Sequence, residues 1–298
     1  MPRGNSVLGG NIMWILYACG SAFFAGSTAI IAKRGIKKVD SNVATAVRTI
    51  VILLFSWLMV FIVGSQNTIG NINYKTLLFL ILSGLATGAS WLCYFRALQL
   101  GDVNKVTPID KSSTILTMIL AFIILGETIT LYKVIGMIAI GLGTYLMISR
   151  KNVDAKNIEG NRWLLYAIFS AVFASLTSIL GKIGIEGIES NLGTAIRTIV
   201  VLIMAWIVVF VSRKQGEVKN IDKISWIFIC LSGITTGFSW LCYYKALQDG
   251  QASIVVPIDK LSIMVTIIFS YLFLKEKLSK KSLIGLIIIV VGTLSLLL

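Results

Sequence analysis

Ser90-Trp91-Leu92-Cys93-Tyr94 recurs 149 residues later as Ser239-Trp240-Leu241-Cys242-Tyr243. Working outward, Ala97-Leu98-Gln99 returns as Ala246-Leu247-Gln248, and Pro108-Ile109-Asp110-Lys111 returns as Pro257-Ile258-Asp259-Lys260. One shift lays the two halves of the 298-residue chain on each other without a gap. Roughly half of the aligned positions are identical, far beyond chance for apolar segments. The chain is therefore read as a duplication, with units at 1–149 and 150–298.

Each unit holds five apolar runs. They cover about 12–32, 42–63, 75–97, 106–125 and 133–149, then about 162–181, 191–212, 224–247, 255–274 and 282–298. Runs of ~17–25 residues match ~30 Å of hydrocarbon when helical. Apolar residues make up 56% of the chain and charged residues 13%, against ~45–50% and ~25% in soluble domains. The expected fold is an all-α membrane protein with ten transmembrane helices. Five helices per unit would put the second unit in the membrane upside down, as two inverted repeats. The first run exceeds a signal-peptide core, and its counterpart sits mid-chain, so it is read as a retained helix.

Basic residues support the inversion. Lys33, Arg34, Lys37 and Lys38 follow helix 1, whereas only Lys182 follows helix 6. Lys75 alone follows helix 2, whereas Arg213, Lys214, Lys219 and Lys223 follow helix 7. Odd-numbered connections hold eighteen Lys and Arg; even-numbered ones with the termini hold five. Positive charge is retained in the cytoplasm, so both termini are expected outside. The net charge of +14 is thereby assigned to orientation and anionic lipid rather than to nucleic acid.

The chain has no His, which removes the commonest metal ligand and proton shuttle. Cys19, Cys93, Cys230 and Cys242 lie in apolar runs without a CxxC pair and read as packing residues. No metal or cofactor is expected. Without His, clustered carboxylates or a Ser-nucleophile motif, an enzyme is not expected either.

Polar residues in the spans fall at steps of three, four and seven, which places them on single helix faces. Helices 3 and 8 carry Ser83, Thr87, Ser90 and Tyr94, and Ser232, Thr236, Ser239 and Tyr243. Helices 2 and 7 carry Arg48 and Arg197 on such stripes. A charge within a span costs ~2.5–3.5 kcal/mol on insertion scales. These arginines either contact a solute or snorkel to an interface. Asp110 and Asp259 either bind or couple, or cap their helices, with Thr107-Pro108-Ile109-Asp110 read as N-cap to N3. Lys111 and Lys260 either pair with a carboxylate or anchor. Trp91, Trp240, Tyr94 and Tyr243 either stack on a solute or join the interfacial belt. Glu127 and Glu276 are assigned to helix boundaries. Helices 5 and 10 lack polar stripes; Gly136, Gly143, Gly285 and Gly292 mark them as packing elements beside the pathway. An Arg that holds a carboxylate and an Asp that accepts an amine or a proton suit a small zwitterion such as an amino acid.

Two five-helix units, Leu125-Gly126-Glu127 with Thr130 after helix 4, and the helix-5 glycines resemble EamA-type members of the drug/metabolite transporter superfamily. Ser-Trp-Leu-Cys-Tyr and Pro-Ile-Asp-Lys resemble the short bacterial members built from one unit. The second copy departs at Gly126, where Lys275 stands. The resemblance implies a secondary carrier in a bacterial or archaeal plasma membrane, with helices 1–4 and 6–9 around the pathway. It implies export of a small metabolite or amino acid by alternating access, with protons as a coupling partner in some members. Family termini are generally cytoplasmic, opposite to what the charge bias here predicts. Other functional classes are a membrane-embedded lipid-handling protein or enzyme, and a non-transporting assembly component. The expected partners are solute and lipid; the sequence leaves the oligomeric state open and is compatible with a monomer.

Overall fold

The structure is a computed structural model that describes residues 7–35, 39–100, 109, 112–147, 162–269, 271–272 and 280–298. The described residues form helices and short turns, with no strand among them. The helices are α1 (Val7–Gly35), α2 (Ser41–Val63), α3 (Tyr74–Leu100), α4 (Ser113–Ile124), α5 (Leu131–Met147), α6 (Arg162–Ile185), α7 (Ser190–Val211), α8 (Lys223–Asp249), α9 (Ala252–Phe269) and α10 (Lys280–Ser295). Seven of them, α1–α3 and α6–α9, are long and apolar enough to cross a membrane. Ser113–Ile124, Leu131–Leu146 and Leu283–Ser295 are shorter apolar helices.

Helix starts follow local chemistry, and the chemistry repeats. Asp40 accepts from the N–H groups of Asn42 and Val43 at 2.9 and 3.3 Å to open α2. Its counterpart Glu189 accepts from the Leu192 N–H at 3.1 Å to open α7. Each acceptor satisfies donors that have no partner inside the helix. Gly64 ends α2 at φ 77°, a left-handed conformation that favours glycine.

Many polar side chains are buried beside the apolar core, and many large apolar ones face outward. Ser56, Ser83, Thr194 and Thr198 are buried, while Leu54, Phe61 and Ile123 are 67, 61 and 73% exposed. Such a surface in water would be a large apolar patch; in lipid it is solvated. Many buried hydroxyls return to the carbonyl four residues back, as Thr49 does to Thr45 and Thr198 to Thr194, at 2.8 and 2.7 Å. Those groups are satisfied within their own helices.

Packing between the halves repeats with the halves exchanged. α3 packs chiefly on α6, and α1 on α8. α2 meets α7, α4 meets α9, and α5 meets α10. α5 and α10 approach closely through glycine: a Cβ on Gly136 would lie 2.6 Å from the Gly292 carbonyl oxygen, and one on Gly143 2.6 Å from that of Gly285. This places the helix-5 and helix-10 glycines against each other.

Contacts also define the two ends of the bundle. At one end Trp14 of α1 lies against Gly250, the Lys133 ammonium donates to Gln251 at 2.5 Å, and Leu296 lies against Gly136. At the other end Asp40 pairs with Lys214, and Ile109 packs near Trp163 and Ala97. α1 thus begins at the end where α6 finishes.

α9 leaves Asp259 no capping role, in keeping with Val256 standing where Thr107 stands in the first unit. The helix begins at Ala252, so Pro257 is internal and Asp259 lies near the end of its first segment. Pro257 cannot donate to the carbonyl four residues back, so this first segment is one hydrogen bond short. The Leu261 N–H turns back to Ile258 O at 3.0 Å before the helix resumes at Ser262. The early start has an external cause. Glu127 accepts from the Ala252 and Ser253 N–H groups at 2.6 and 3.0 Å, and also from the Ser253 hydroxyl. Glu127 therefore caps, but it caps a helix of the other half rather than its own.

Candidate functional site

The α3 glycines let α7 come close. A Cβ on Gly84 would lie 2.7 Å from Val200 Cβ and 3.1 Å from the Arg197 carbonyl oxygen. On the other half, a Cβ on Gly233 would lie 2.7 Å from Val51 Cβ and 3.1 Å from the Arg48 carbonyl oxygen. At these approaches the side chains of Arg197 and Arg48 point past the glycine helices into the interior. Both line one cavity of about 330 Å³, bounded by α1–α3 and α6–α9.

Arg197 is 2% exposed. Its Nε donates to Ser83 Oγ at 3.0 Å and its Nη2 to Thr87 Oγ1 at 2.6 Å. The guanidinium carbon lies 5.0 Å from the Trp240 ring centre and 4.6 Å from that of Tyr244. Both distances suit cation–π attraction, which strengthens away from water. Arg197 Nη1 is buried without a hydrogen-bond partner, and so is Arg48 Nε.

Asp259 lies on the cavity wall at the end of the first segment of α9. Its carboxylate accepts from Ser21 Oγ at 2.5 Å, and Ser239 Oγ donates to the Ser21 carbonyl at 3.1 Å. Lys260, Trp91, Trp240 and Tyr243 also line the cavity. Tyr243 OH and Ser178 Oγ are 2.7 Å apart. Asp110, Lys111 and Glu276 lie outside the described residues.

Tyr94 is the exception among the described candidates. It is absent from the lining and packs with Trp163, Tyr166 and Ala167 near the end marked by Asp40. Its counterpart Tyr243 is held by Ser178, but Ala29 occupies the equivalent position in the first unit and offers no hydroxyl. In its place the site uses Tyr244, which the stripe analysis missed. Tyr244 fits because α6 has Gly181, where an added Cβ would lie 2.7 Å from Tyr244 Cε1. The first unit has Phe95 and Ala32 at these two positions. Ser21, Thr28 and Thr177 were missed as well, although their spacing on α1 and α6 repeats the stripe pattern. A signal for Tyr244 and Ser178 exists in the sequence: both stand where the two copies disagree.

Between the cavity and the end marked by Glu127 lies a packed apolar cluster that includes Ile179, Leu247, Val255 and Val256, with Trp14 and Tyr17 against it. Lys182 secures the rim by donating to Leu247 O at 2.9 Å and to Gly250 O. No helix of the α5–α10 pair contributes to the described lining.

The EamA-like transporter family matches residues 12–149 and again residues 161–298. An uncharacterized transporter from a cobO 3′ region of a Sinorhizobium species is 41% identical over 134 residues, which are 45% of this chain and 95% of that protein. An uncharacterized transporter of Archaeoglobus fulgidus is 23% identical over 286 residues, covering 95% of this chain and 98% of its own. A protein known by crystal structure superposes with a TM-score of 0.77 at 15% identity, over 95% of this chain and 96% of its own, which shows a shared fold. With one family match in each half and transporters among its relatives, the chain belongs to the EamA-like transporter family.

Proposed function

We propose that the chain is a secondary-active exporter of a small metabolite or amino acid, working by alternating access between two inverted five-helix units, 1–149 and 150–298. In this reading all ten helices, α1–α10, cross the membrane. The observation that carries this reading is the cavity between the two ends, lined from both halves and holding Arg48, Arg197, Asp259 and Lys260. Ionisable groups at that depth are expensive and mark solute or ion pathways. The exchange of packing partners between halves supports two interconvertible arrangements, because each half rocks against its counterpart. The apolar cluster under Glu127 is the closed side, and opening it requires the opposite end to close. Among the described lining residues Asp259 is the carboxylate assigned a coupling proton, with Asp110 as its counterpart in the first unit. The charge bias of the connections puts both termini outside a bacterial or archaeal plasma membrane.

The test is saturable counterflow by the purified chain in proteoliposomes, across a panel of small metabolites and a pH series. Accumulation of labelled solute against its own gradient is expected, and Asp259→Asn should flatten its pH dependence. Counterflow by no member of the panel would refute the carrier reading. A cytoplasm-dependent fluorescent reporter fused after Leu298 should stay dark, and fluorescence would reverse the orientation.

A further inference from the structure

The described wall of the cavity carries more positive than negative charge. Among its described lining residues, Arg48, Arg197 and Lys260 are cationic and Asp259 alone is acidic. Among these described residues, three cations against one carboxylate leave two positive charges unbalanced. Asp259 is already engaged by Ser21. The described ion pairs, Asp40 with Lys214 and Lys245 with Asp249, involve neither arginine.

A purely structural role for Arg197 accounts for part of its contacts. Nε and Nη2 tie α7 to α3 through Ser83 and Thr87. It does not account for Nη1, which is buried and unpaired, nor for Arg48 Nε, which is in the same state on the opposite half. A buried donor without a partner is destabilising, more so when charged. Both arginines line the one cavity, so each brings an unsatisfied guanidinium to its wall, the pattern of a site that lacks its ligand. The rings of Trp240 and Tyr244 fix the Arg197 guanidinium, so Nη1 is held in place before anything binds.

We infer that the solute is a small organic anion whose oxyanion, a carboxylate or a phosphate monoester, docks on the Arg197 and Arg48 guanidinium groups that line the cavity, with net negative charge overall. Guanidinium N–H groups recognise both oxyanions by the same charge-assisted bonds. Lys260 balances Asp259, which leaves the arginine pair to be neutralised by the solute. The cavity volume sits at the lower end of the ~300–1,000 Å³ range of small-molecule sites, which excludes lipids and dinucleotides. The inference rests on the cavity being the solute site. It narrows that reading by excluding a neutral solute, and a zwitterion whose ammonium adds a further positive charge.

The experiment uses the full chain in nanodiscs, with succinate, glycerol 3-phosphate, leucine and glycerol as probes, read by calorimetric binding and by counterflow. Saturable binding of succinate, glycerol 3-phosphate or both is expected, and which of them binds tells carboxylate from phosphate. Arg197→Gln and Arg48→Gln should each weaken that binding about tenfold or more. Arg197→Lys keeps the charge, loses the planar fork, and should also weaken it. Lys75→Gln, outside the cavity, should leave it unchanged. If Arg197→Gln does not fold, Arg48→Gln carries the test. Binding or counterflow of leucine or glycerol with both anions silent overturns the anion assignment and leaves the carrier reading standing. Saturable anion binding without any counterflow supports the anion site and refutes the carrier. Absence of anion binding, or anion binding unaffected in both arginine variants, overturns the inference.

Discussion

Glu127 leaves the end of α4 and caps α9 across the boundary between the halves. Its two oxygens meet the Ala252 and Ser253 N–H groups at 2.6 and 3.0 Å, and the Ser253 hydroxyl also donates to it. The residue at the usual cap position, Gln251, makes no capping bond of its own and instead accepts from Lys133. Removing Glu127 therefore leaves the first donors of α9 with no substitute. A net hydrogen bond to a charged group contributes ~1.5–3 kcal/mol, and a carboxylate at a helix N-terminus adds ~0.3–1 kcal/mol. These contributions overlap, and Glu127 is only partly buried, so Glu127→Ala should cost roughly 2–4 kcal/mol. Glu127→Gln keeps one acceptor and should cost about half as much. Thermal unfolding of the purified protein in nanodiscs should show a fall of several degrees for Ala and a smaller one for Gln. A double-mutant cycle with Ser253→Ala should return a coupling of about 1 kcal/mol. If both variants melt within about one degree of the parent and the cycle shows no coupling, Glu127 is an interface anchor of its own helix, and the cross-half cap is wrong.

Gly143→Leu forces a side chain into the contact with the Gly285 carbonyl and the Ile289 backbone. Overpacking of ~1–3 kcal/mol or more is expected, read as loss of the monodisperse peak in size-exclusion chromatography. Tyr244→Ala removes one of the two rings over Arg197 and should weaken solute binding by ~0.5–2 kcal/mol, whereas Tyr244→Phe keeps the ring and most of the binding; equal losses would refute the stacking role. Partial burial pushes the Asp40 carboxyl up, but Lys214 and the Val43 and Asn42 N–H groups outweigh it and hold its pKa below the ordinary value. The resulting stability is present above the unfolded-state pKa and is lost as pH falls through the lower folded value. Asp40→Asn, which still caps, should thus melt less than about 1 kcal/mol below the parent at pH 7 and converge with it in acid. A gap that persists in acid would refute the assignment.

The sequence made the elements legible because lipid imposes a strict rule on them. A span must be long, apolar and internally hydrogen-bonded, so hydropathy and the 149-residue repeat locate α1–α3 and α6–α8 within a few residues. α9 was harder. Its start depends on Glu127, a residue distant in the chain, and Pro257-Ile258-Asp259 looks locally like a helix opening although it lies inside one. The charged positions on the cavity wall, Arg48, Arg197, Asp259 and Lys260, were visible because charge within a span is rare. Neutral partners were not, since a buried serine that bonds its own helix and one that holds a carboxylate look alike in sequence. Ser56 returns to Ile52 O, while Ser21 reaches Asp259; only the packing of α1 against α8 and α9 separates them. Tyr244 carries no signal of agreement between the repeats, because Phe95 stands at its counterpart, while Tyr94 matches Tyr243 yet lies outside the described lining.

The exchange of packing partners has a genetic consequence. When α1 and α3 of one half lie on α8 and α6 of the other, neither half can keep a buried interface to itself. In an assembly of two identical five-helix subunits, one codon would specify both walls of the cavity, and every substitution would land twice. A glycine needed at position 181 would also be imposed where Ala32 stands, and a tyrosine at 244 would also be imposed at 95. Fusion gives each wall its own codon. Ser178 beside Tyr243 can then coexist with Ala29 at the matching position of the first unit, and Tyr244 over Arg197 with Phe95 at its own.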